Sequence, residues 1–294
     1  MSASYRIFNV TLKHKEHISP SLLRCIFTGP EVDRMKLEAP DQRIKLLFRN
    51  EDGQLRQLEN SDDWYRNYMV IPKKQRPVMR TYTLRALRSE QREVDVEFVL
   101  HGVKGPASAW VTHANPGDPI QMVAPNADFK GKSGGYEWMP SAQVKKILLI
   151  ADETAVPAVM GILEQLSLQV NPPPVQAFFE VPMAKDCINV AQFSFAEVYW
   201  LPRDISQQQR HGTLLVEAVR QHVDISDAAC TDTPALAERS QNGDLLWERA
   251  ESTTDFYAWV AAECSTVKML RHYLLSECKL DRLTINFMAY WCKF

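Results

Sequence analysis

The sequence predicts an N-terminal antiparallel β-barrel followed by a parallel-sheet α/β domain. Up to about residue 128, short runs of alternating apolar and polar residues are separated by turn signals such as Asp52-Gly53, a pattern typical of antiparallel barrels. From Val144 onward the expected strands are almost continuously apolar and alternate with helical segments, as in a parallel sheet covered on both faces. The pattern changes near Ser133-Gly134-Gly135, so we expect domains over residues 1–135 and 136–294.

The barrel strands follow from the period-two alternation of apolar residues. They are expected at residues 6–12, 22–28, 44–48, 80–87 and 94–100. A short helix should follow the last of them from Pro106 to His113, because proline is favoured in the first helical turn. Residues 60–76 are polar, aromatic and poorly periodic, so we expect a long loop there.

The second domain alternates strands and helices. Strands are expected at residues 145–151, 175–181, 197–201 and 256–261, and helices at 155–168, 212–222 and 265–277. Residues 224–252 are polar and acidic, and we interpret them as an insertion with a short helix.

Length and charge narrow the functional class. A chain of 294 residues can hold two domains with proper cores. Its net charge of −2 argues against a general nucleic-acid binder, which usually carries a basic excess. No apolar run approaches the length of a membrane span, and the first residues lack the apolar core of a signal peptide. We therefore expect a cytoplasmic protein without membrane or nucleic-acid partners. We also expect a monomer, although the sequence carries no signal for the oligomeric state.

The cysteines and histidines do not indicate a metal site. None of the six cysteines forms a C-x-x-C pair, and the seven histidines lack metal-ligand spacing. We expect no bound metal, and cysteines that are reduced and without a structural role.

The run Arg80-Thr81-Tyr82-Thr83 is the first of two segments that indicate a flavin site. On a strand, Arg80 and Tyr82 share one face and Thr83 turns to the other. A guanidinium suits a pyrophosphate through paired hydrogen bonds, and a tyrosine ring can pack on an isoalloxazine. The hydroxyl of Thr83 can contact the polar edge of the flavin.

The second segment covers residues 101–110. Gly102 and Gly105 permit backbone conformations that other residues rarely adopt. A helix that begins at Pro106 directs free N–H groups at an anion, and the small Ser108 lets a ligand approach closely. In this order and followed by an α/β half, the two segments predict a flavin nucleotide that spans the ring and phosphate subsites.

A flavin barrel followed by an α/β half is the arrangement of the ferredoxin–NADP reductase superfamily. More specifically, the chain resembles the siderophore-interacting protein family, the FAD-containing ferric-siderophore reductases. The matching segments are Ile44-Lys45-Leu46-Leu47-Phe48, Arg80-Thr81-Tyr82-Thr83, residues 94–110 with their His-Gly and Ala-Ser-Ala-Trp elements, Pro116-Gly117-Asp118, residues 151–158 with Asp-Glu-Thr-Ala-x-Pro-Ala, residues 259–263, and Tyr290-Trp291.

The resemblance implies site residues for FAD and for the substrate. The expected cofactor-binding residues are Arg80, Thr81, Tyr82, Thr83, His101, Gly102, Pro106, Ala107, Ser108, Asp152, Thr154, Ala155 and Trp291. Of these, Asp152, Thr154 and Ala155 would approach the adenosine end of FAD, and Trp291 would cover the flavin. Lys45 and Lys293 match basic positions of the family, and Lys130 lies near a third; they would attract an oxygen-rich ferric chelate. No general acid, base or nucleophile is expected.

Two departures from the family pattern concern the electron donor. Ala261-Ala262-Glu263 stands where the family commonly has Ala-Gly-Glu. The chain ends in Trp291-Cys292-Lys293-Phe294, where two arginines and a glycine usually follow the tryptophan. Because the added methyl group would crowd a passing nicotinamide, NADH, NADPH and reduced ferredoxin are all candidate donors.

The expected function is therefore FAD-dependent reduction of a ferric siderophore. Siderophores hold ferric iron tightly and ferrous iron far more weakly, so reduction releases the metal. A flavin can take a hydride and pass on single electrons. The alternatives are a general NAD(P)H flavin oxidoreductase and a non-enzymatic flavin-containing siderophore-binding protein.

Overall fold

The computed structural model describes residues 3–50, 52–102, 105–205, 210–225, 246–251 and 255–293. The chain divides into an N-terminal unit, Met1–Tyr136, and a C-terminal unit, Glu137–Phe294. Within the described residues, no helix combines the length and the apolar character needed to cross a membrane.

The N-terminal unit contains a seven-stranded antiparallel sheet. Its strands are β1 (Tyr5–Ser19), β2 (Leu22–Thr28), β3 (Arg43–Phe48), β4 (Val78–Thr83), β5 (Ala86–Arg88), β6 (Glu93–Val99) and β7 (Pro119–Pro125), in the order β4-β3-β7-β1-β2-β6-β5. The two edge strands, β4 and β5, are separated in sequence only by Leu84 and Arg85. The amide of Arg85 donates to the carbonyl of Asp95 on β6 at 2.9 Å. Because so short a link joins both edges, the sheet curls back on itself, as the barrel prediction requires.

Alternation along the strands fills the barrel with apolar side chains. On β2, Leu23, Cys25 and Phe27 are buried, and they belong to one cluster with Phe8 on β1 and Phe98 on β6. The helix α2 (Pro106–His113) contributes Val111 and Trp110 to the same cluster, and the Trp110 ring lies 6.0 Å from that of Phe27.

The expected loop at residues 60–76 contains a helix, α1 (Trp64–Val70). None of its residues is fully buried and no side chain caps its N-terminus. Asp63 stands at the N-cap position, and Trp64 and Tyr68 pack against a small apolar cluster, but a helix of seven residues is too short for these signals to predict it from the sequence.

The C-terminal unit contains a six-stranded sheet. Its strands are β8 (Lys146–Ala151), β9 (Val175–Val181), β10 (Ala196–Pro202), β11 (Trp247–Glu248), β12 (Phe256–Glu263) and β13 (Ile285–Trp291), in the order β10-β9-β8-β12-β13-β11. All neighbours are parallel except β11 and β13. The helices are α3 (Val156–Ser167), α4 (Thr213–His222) and α5 (Cys264–His272), and a π-helical turn, Tyr273–Glu277, extends α5. The predicted fold class is confirmed in both halves.

The strand order reverses between β8 and β12. From β8 the chain proceeds outward through β9 and β10, then returns to the other side of β8 as β12. In open α/β sheets, ligands bind outside the carboxyl ends of the strands at such a switch point. The carboxyl edge of β8, β12 and β13 is therefore the part of this unit where a site is expected. The short helix expected within 224–252 falls mostly outside the described residues.

Candidate functional site

Arg80 offers a free cation on the edge strand β4. Val78 and Tyr82 pack against the barrel core, and Met79 packs against a cluster on the opposite face, so alternation puts Arg80 on the Tyr82 face. The Arg80 side chain is exposed, and its Nη1 donates to the Met79 carbonyl at 3.0 Å. It makes no ion pair with any described residue, which leaves the guanidinium available for an anionic ligand.

One side of the Tyr82 ring packs against aromatic residues of the barrel core. Its centroid lies 4.5 Å from Phe98 and 6.5 Å from Phe48. Burial raises the pKa of the phenol, with a smaller opposing effect from Arg80, so the ring is neutral. The next residue, Thr83, is 6% exposed and pairs with Arg43 on β3.

The amino end of α2 is open to an anion. Gly105 precedes the helix, Pro106 begins it, and within the described part of the chain no side chain caps it. The N–H groups of Ala107 and Ser108, which follow the proline, therefore have no capping acceptor. Upstream, Gly102 has a φ of +85° and lies beside His101, whose Nε2 is 3.3 Å from the Ser108 hydroxyl.

One core ring brings the two predicted flavin segments together. Phe48 lies 6.5 Å from Tyr82 on β4 and 6.1 Å from Trp110 on α2. An unpaired guanidinium, a partly exposed aromatic ring and an uncapped helix terminus thus belong to one barrel. This set fits a dinucleotide with a pyrophosphate and a planar ring.

Lys45 lies directly beside the Arg-Thr-Tyr-Thr run. It pairs with Thr81 across β3 and β4, and its Nζ donates to the exposed Thr81 hydroxyl at 3.1 Å. Burial and the neighbouring Arg43 lower the pKa of Lys45. Lys130 follows β7 and is exposed. Both lysines belong to the barrel, whereas Lys293 belongs to the C-terminal unit.

The carboxylate of Asp152 lies just after β8, is fully buried and accepts hydrogen bonds from other residues of the protein. Its Oδ1 accepts from the Thr154 amide at 2.9 Å and the Thr154 hydroxyl at 2.5 Å, and its Oδ2 accepts from Trp291 Nε1 at 2.8 Å. Ala155, also buried, precedes α3. Of the sequence-predicted residues, Asp152 therefore contacts both Thr154 and Trp291 and positions them.

A charged network extends from Asp152 through residues that sequence reasoning missed. Arg203 donates to both carboxylate oxygens of Glu153, at 2.7 and 2.9 Å, and to Glu180 at 2.9 Å. His211 lies 3.2 Å from Glu153, and its ring is 5.0 Å from that of Trp291. The network joins four separate segments of the chain, so although Glu153 belongs to the Asp-Glu-Thr-Ala motif, no local motif marks its partners Arg203, Glu180 and His211.

The two neighbouring carboxyl groups of this network, Asp152 and Glu153, have pKa values shifted in opposite directions. Burial and the charge of Glu153 raise the pKa of Asp152 to about 6. Burial also acts to raise the pKa of Glu153, but hydrogen bonds from His211 and Arg203 outweigh it and lower the value to about 2. Ligand atoms of Asp152, Glu153 and His211 lie within 4.8 Å of one another. Because Arg203 already pairs with both Glu153 oxygens, a metal ion there would meet a guanidinium, and we assign none.

Family comparisons match both units. A siderophore-interacting FAD-binding domain matches residues 11–129, and the siderophore-interacting protein family matches residues 144–293. The chain is a siderophore-interacting protein. The predicted family and the predicted FAD cofactor are both confirmed.

Individual relatives agree with the family assignment. An uncharacterized protein of Mycobacterium tuberculosis H37Rv is 32% identical over 69% of this chain and 70% of its own. The ferric vibriobactin reductase of Vibrio cholerae is 26% identical over 94% of this chain and 86% of its own. The crystal structure of a siderophore-interacting protein from Aeromonas hydrophila has a TM-score of 0.69 at 23% identity, covering 98% of this chain and 92% of that one. This last likeness supports the fold.

This siderophore-interacting protein differs from the expectation of unlinked thiols. Cys264 and Cys292 form a disulfide, with their Cα atoms 5.1 Å apart. The expectation was wrong because the two residues are 28 positions apart in sequence but follow adjacent parallel strands, β12 and β13. Cys25, Cys187 and Cys278 are not joined in a disulfide, and Cys230 lies outside the described residues.

Glu263, which ends β12, joins this disulfide to helix α5. Its Oε2 accepts from the amides of Ser265 at 2.7 Å and Thr266 at 3.2 Å, and so caps the helix. Its Oε1 accepts from the Lys293 amide at 3.3 Å. The amino end of α5 is therefore occupied by a carboxylate of the protein itself.

The His211–Glu153 pair predicts a pH dependence of stability. Burial lowers the pKa of His211, but the hydrogen bond and charge of Glu153 outweigh it, so the folded pKa lies above the ordinary value of 6.5. The pair's contribution is complete below pH 6.5 and falls as the pH rises through the folded pKa. We expect wild type to lose more stability than His211→Gln between about pH 6 and about pH 9. Urea unfolding across this range measures it, and equal losses in both proteins would contradict the pairing.

Proposed function

We propose that this protein is a ferric-siderophore reductase that uses bound FAD to convert Fe(III) to Fe(II) in the cytoplasm. The observation that carries the proposal is the unpaired Arg80 beside the neutral Tyr82, with Lys45 against the neighbouring Thr81. Family membership and the similarity to the ferric vibriobactin reductase of Vibrio cholerae support the same reaction.

The residues of the N-terminal unit account for FAD binding. Arg80 pairs with the pyrophosphate, and the amino end of α2, with Ala107 and Ser108, provides amide donors to it. Tyr82 would hold the flavin ring, and Thr81 and Thr83 would provide hydroxyl groups beside it. His101 and Gly102 line the approach to the helix. When bound, FAD accepts electrons from the donor and passes them singly to ferric iron.

The substrate is recognised by charge. Lysine Nζ groups have no lone pair when protonated, so Lys45, Lys130 and Lys293 attract the oxygen-rich chelate without ligating its iron. The C-terminal unit binds the electron donor, which is NADH, NADPH or a reduced ferredoxin. The protein acts as a monomer. Asp152 acts by positioning Thr154 and Trp291.

Single-turnover measurements test the function. The yellow enzyme is reduced anaerobically with each donor in turn, and flavin bleaching is followed by stopped flow. A ferric siderophore is then added, and reoxidation is recorded together with capture of Fe(II) by a chromogenic chelator. Equal yields of reoxidised flavin and Fe(II) are expected. Bleaching without Fe(II) would favour a general flavin oxidoreductase, and no bleaching with any donor would favour a non-enzymatic binding protein.

Lys45→Ala and Lys293→Ala are each expected to raise the KM for an anionic ferric siderophore about twofold to fivefold, as befits the loss of one partly exposed charge. Flavin reduction by the donor should not change. The effect should shrink at high salt, which screens exposed charges. The measurement is the saturation curve for reoxidation, with the exposed Lys74→Ala as control. Identical curves for wild type and the double variant would remove the role of these lysines.

A further inference from the structure

The Cys264–Cys292 disulfide lies at the carboxyl edge where α/β sheets bind ligands. Cys264 begins α5 directly after β12, and Cys292 follows the last residue of β13. Both residues are partly exposed, so a small thiol can reach the bond. The free Cys25, by contrast, is buried, and burial raises the pKa of its thiol to about 12.

The disulfide fixes the described end of the chain. Up to Trp291, the strand β13 is held by its ladder with β12 and by the hydrogen bond to Asp152. Beyond Trp291, the contacts that the structure shows are the disulfide and the hydrogen bond from the Lys293 amide to Glu263. Breaking the disulfide therefore leaves Lys293 tethered by one partly exposed hydrogen bond.

The link does not create the fold of this edge. The strands β12 and β13 are parallel neighbours paired from Ala258 to Glu263, and their side chains are buried through Ala289. In reducing compartments, the disulfides that do form are usually transient and serve in catalysis or redox sensing. A solvent-accessible disulfide beside a ligand-binding edge matches that class better than a structural one.

We propose that Cys264 and Cys292 form a reversible redox site whose reactant is a low-molecular-weight thiol, and that the oxidised form holds Lys293 where it attracts the ferric chelate. The second half rests on the proposed function, and the first half does not.

The exchange balances with two thiols. One thiolate attacks a sulfur of the disulfide, forms a mixed disulfide and releases the other cysteine as a thiolate. A second thiolate then attacks the small-thiol sulfur of this mixed disulfide and releases the remaining cysteine as a thiolate, so that two RSH become RSSR and the protein gains two S–H groups. In the reduced form, the Cys264 sulfur, 3.3 Å from Glu263 Oε1, can donate to that carboxylate. The electrons come from the small thiol, and no other reductant is required.

Mass spectrometry tests the redox site independently of enzyme activity. The protein is treated with oxidised glutathione, then with dithiothreitol, and each sample is denatured and alkylated with iodoacetamide. We expect Cys264 and Cys292 to be protected together after oxidation and labelled together after reduction, and the intact mass measured before alkylation to change reversibly by about 2 Da. Cys187 and Cys278 should be labelled throughout. Independent labelling of Cys264 and Cys292, or no coupled mass change, would overturn the redox site.

Reoxidation kinetics test the positioning of Lys293. Oxidised and reduced proteins are freed of small thiols by gel filtration, and reoxidation by a ferric siderophore is compared. We expect the reduced protein and Cys292→Ser to show the same increase in KM, up to the value for Lys293→Ala, with unchanged flavin reduction. Cys187→Ser should behave as wild type. Equal KM values in the oxidised and reduced proteins would overturn the positioning, and loss of Fe(II) production in every form would overturn the proposed function but leave the alkylation result standing.

Discussion

Replacing Glu180 by alanine is expected to lower the free energy of unfolding of the C-terminal unit by about 3–5 kcal/mol, the usual cost of removing one partner from a buried ion pair. Glu180 is 0% exposed. Its carboxylate accepts from Arg203 at 2.9 Å and from the amides of Gly212 at 2.7 Å and Leu215 at 3.1 Å. Alanine would leave two amides at the start of α4 without their acceptor and Arg203 with only Glu153.

Urea unfolding followed by tryptophan fluorescence measures this effect, because five of the seven tryptophans lie in the C-terminal unit. Glu180→Gln should lower the free energy of unfolding less than Glu180→Ala does. Its side-chain oxygen can still accept a hydrogen bond, although its NH₂ group makes an unfavourable donor–donor contact with Arg203. The matched control is Glu217→Ala, an exposed position on α4, the helix that Glu180 caps. Its free energy of unfolding should stay within about 0.5 kcal/mol of wild type. A Glu180→Ala protein as stable as Glu217→Ala would contradict the capping role.

Glu180 also shows where sequence reasoning about the fold ends. The alternating and continuous apolar patterns were sufficient to predict both halves, because they follow from which strand faces are buried. Glu180 fell within a mostly apolar strand that was predicted correctly, β9. Its partners Arg203 and Gly212 lie 23 and 32 residues away. A side chain that caps a distant helix leaves no period in the sequence.

The sequence analysis did not predict strand β13, for a similar reason. Its sequence, Ile285-Asn286-Phe287-Met288-Ala289-Tyr290-Trp291, contains a buried polar residue, Asn286, whose side chain donates to the Ala258 carbonyl at 3.2 Å. That contact satisfies the amide only once β12 lies alongside. The Cys264–Cys292 disulfide was hidden for the same reason, since it too depends on the pairing of these two strands.

The flavin segments were more accessible to sequence reasoning because their geometry is local. Strand alternation fixes the common face of Arg80 and Tyr82, and a proline-initiated helix fixes the direction of the α2 amides. The contact between Lys45 and Thr81 depends on the β3–β4 register, which the sequence does not state. Likewise, Asp152 matched a family motif, but only the structure shows its oxygens engaged by Thr154 and Trp291.

Arg80→Ala is expected to weaken FAD binding by about 1.5–3 kcal/mol, or about tenfold to a hundredfold, because one charged hydrogen-bonding partner of the pyrophosphate is lost. The FAD affinity of Arg80→Lys should lie between those of wild type and Arg80→Ala, since lysine keeps the charge but lacks the planar pair of donors. The measurement is calorimetric titration of FAD into protein stripped of its cofactor. Arg66→Ala on α1, also exposed, is the matched control and should bind like wild type.

Stability separates a binding role of Arg80 from a structural one. The guanidinium is exposed and contacts only the Met79 carbonyl within the described chain, so its removal leaves no buried charge unpaired. The stripped Arg80→Ala protein should therefore unfold at the same urea concentration as stripped wild type. The difference between them should emerge only when FAD is added, because a ligand that binds the folded state stabilises it in proportion to its affinity. A stripped variant that is already less stable would indicate a structural role of Arg80, and one that binds FAD with full affinity would show that the pyrophosphate is held elsewhere.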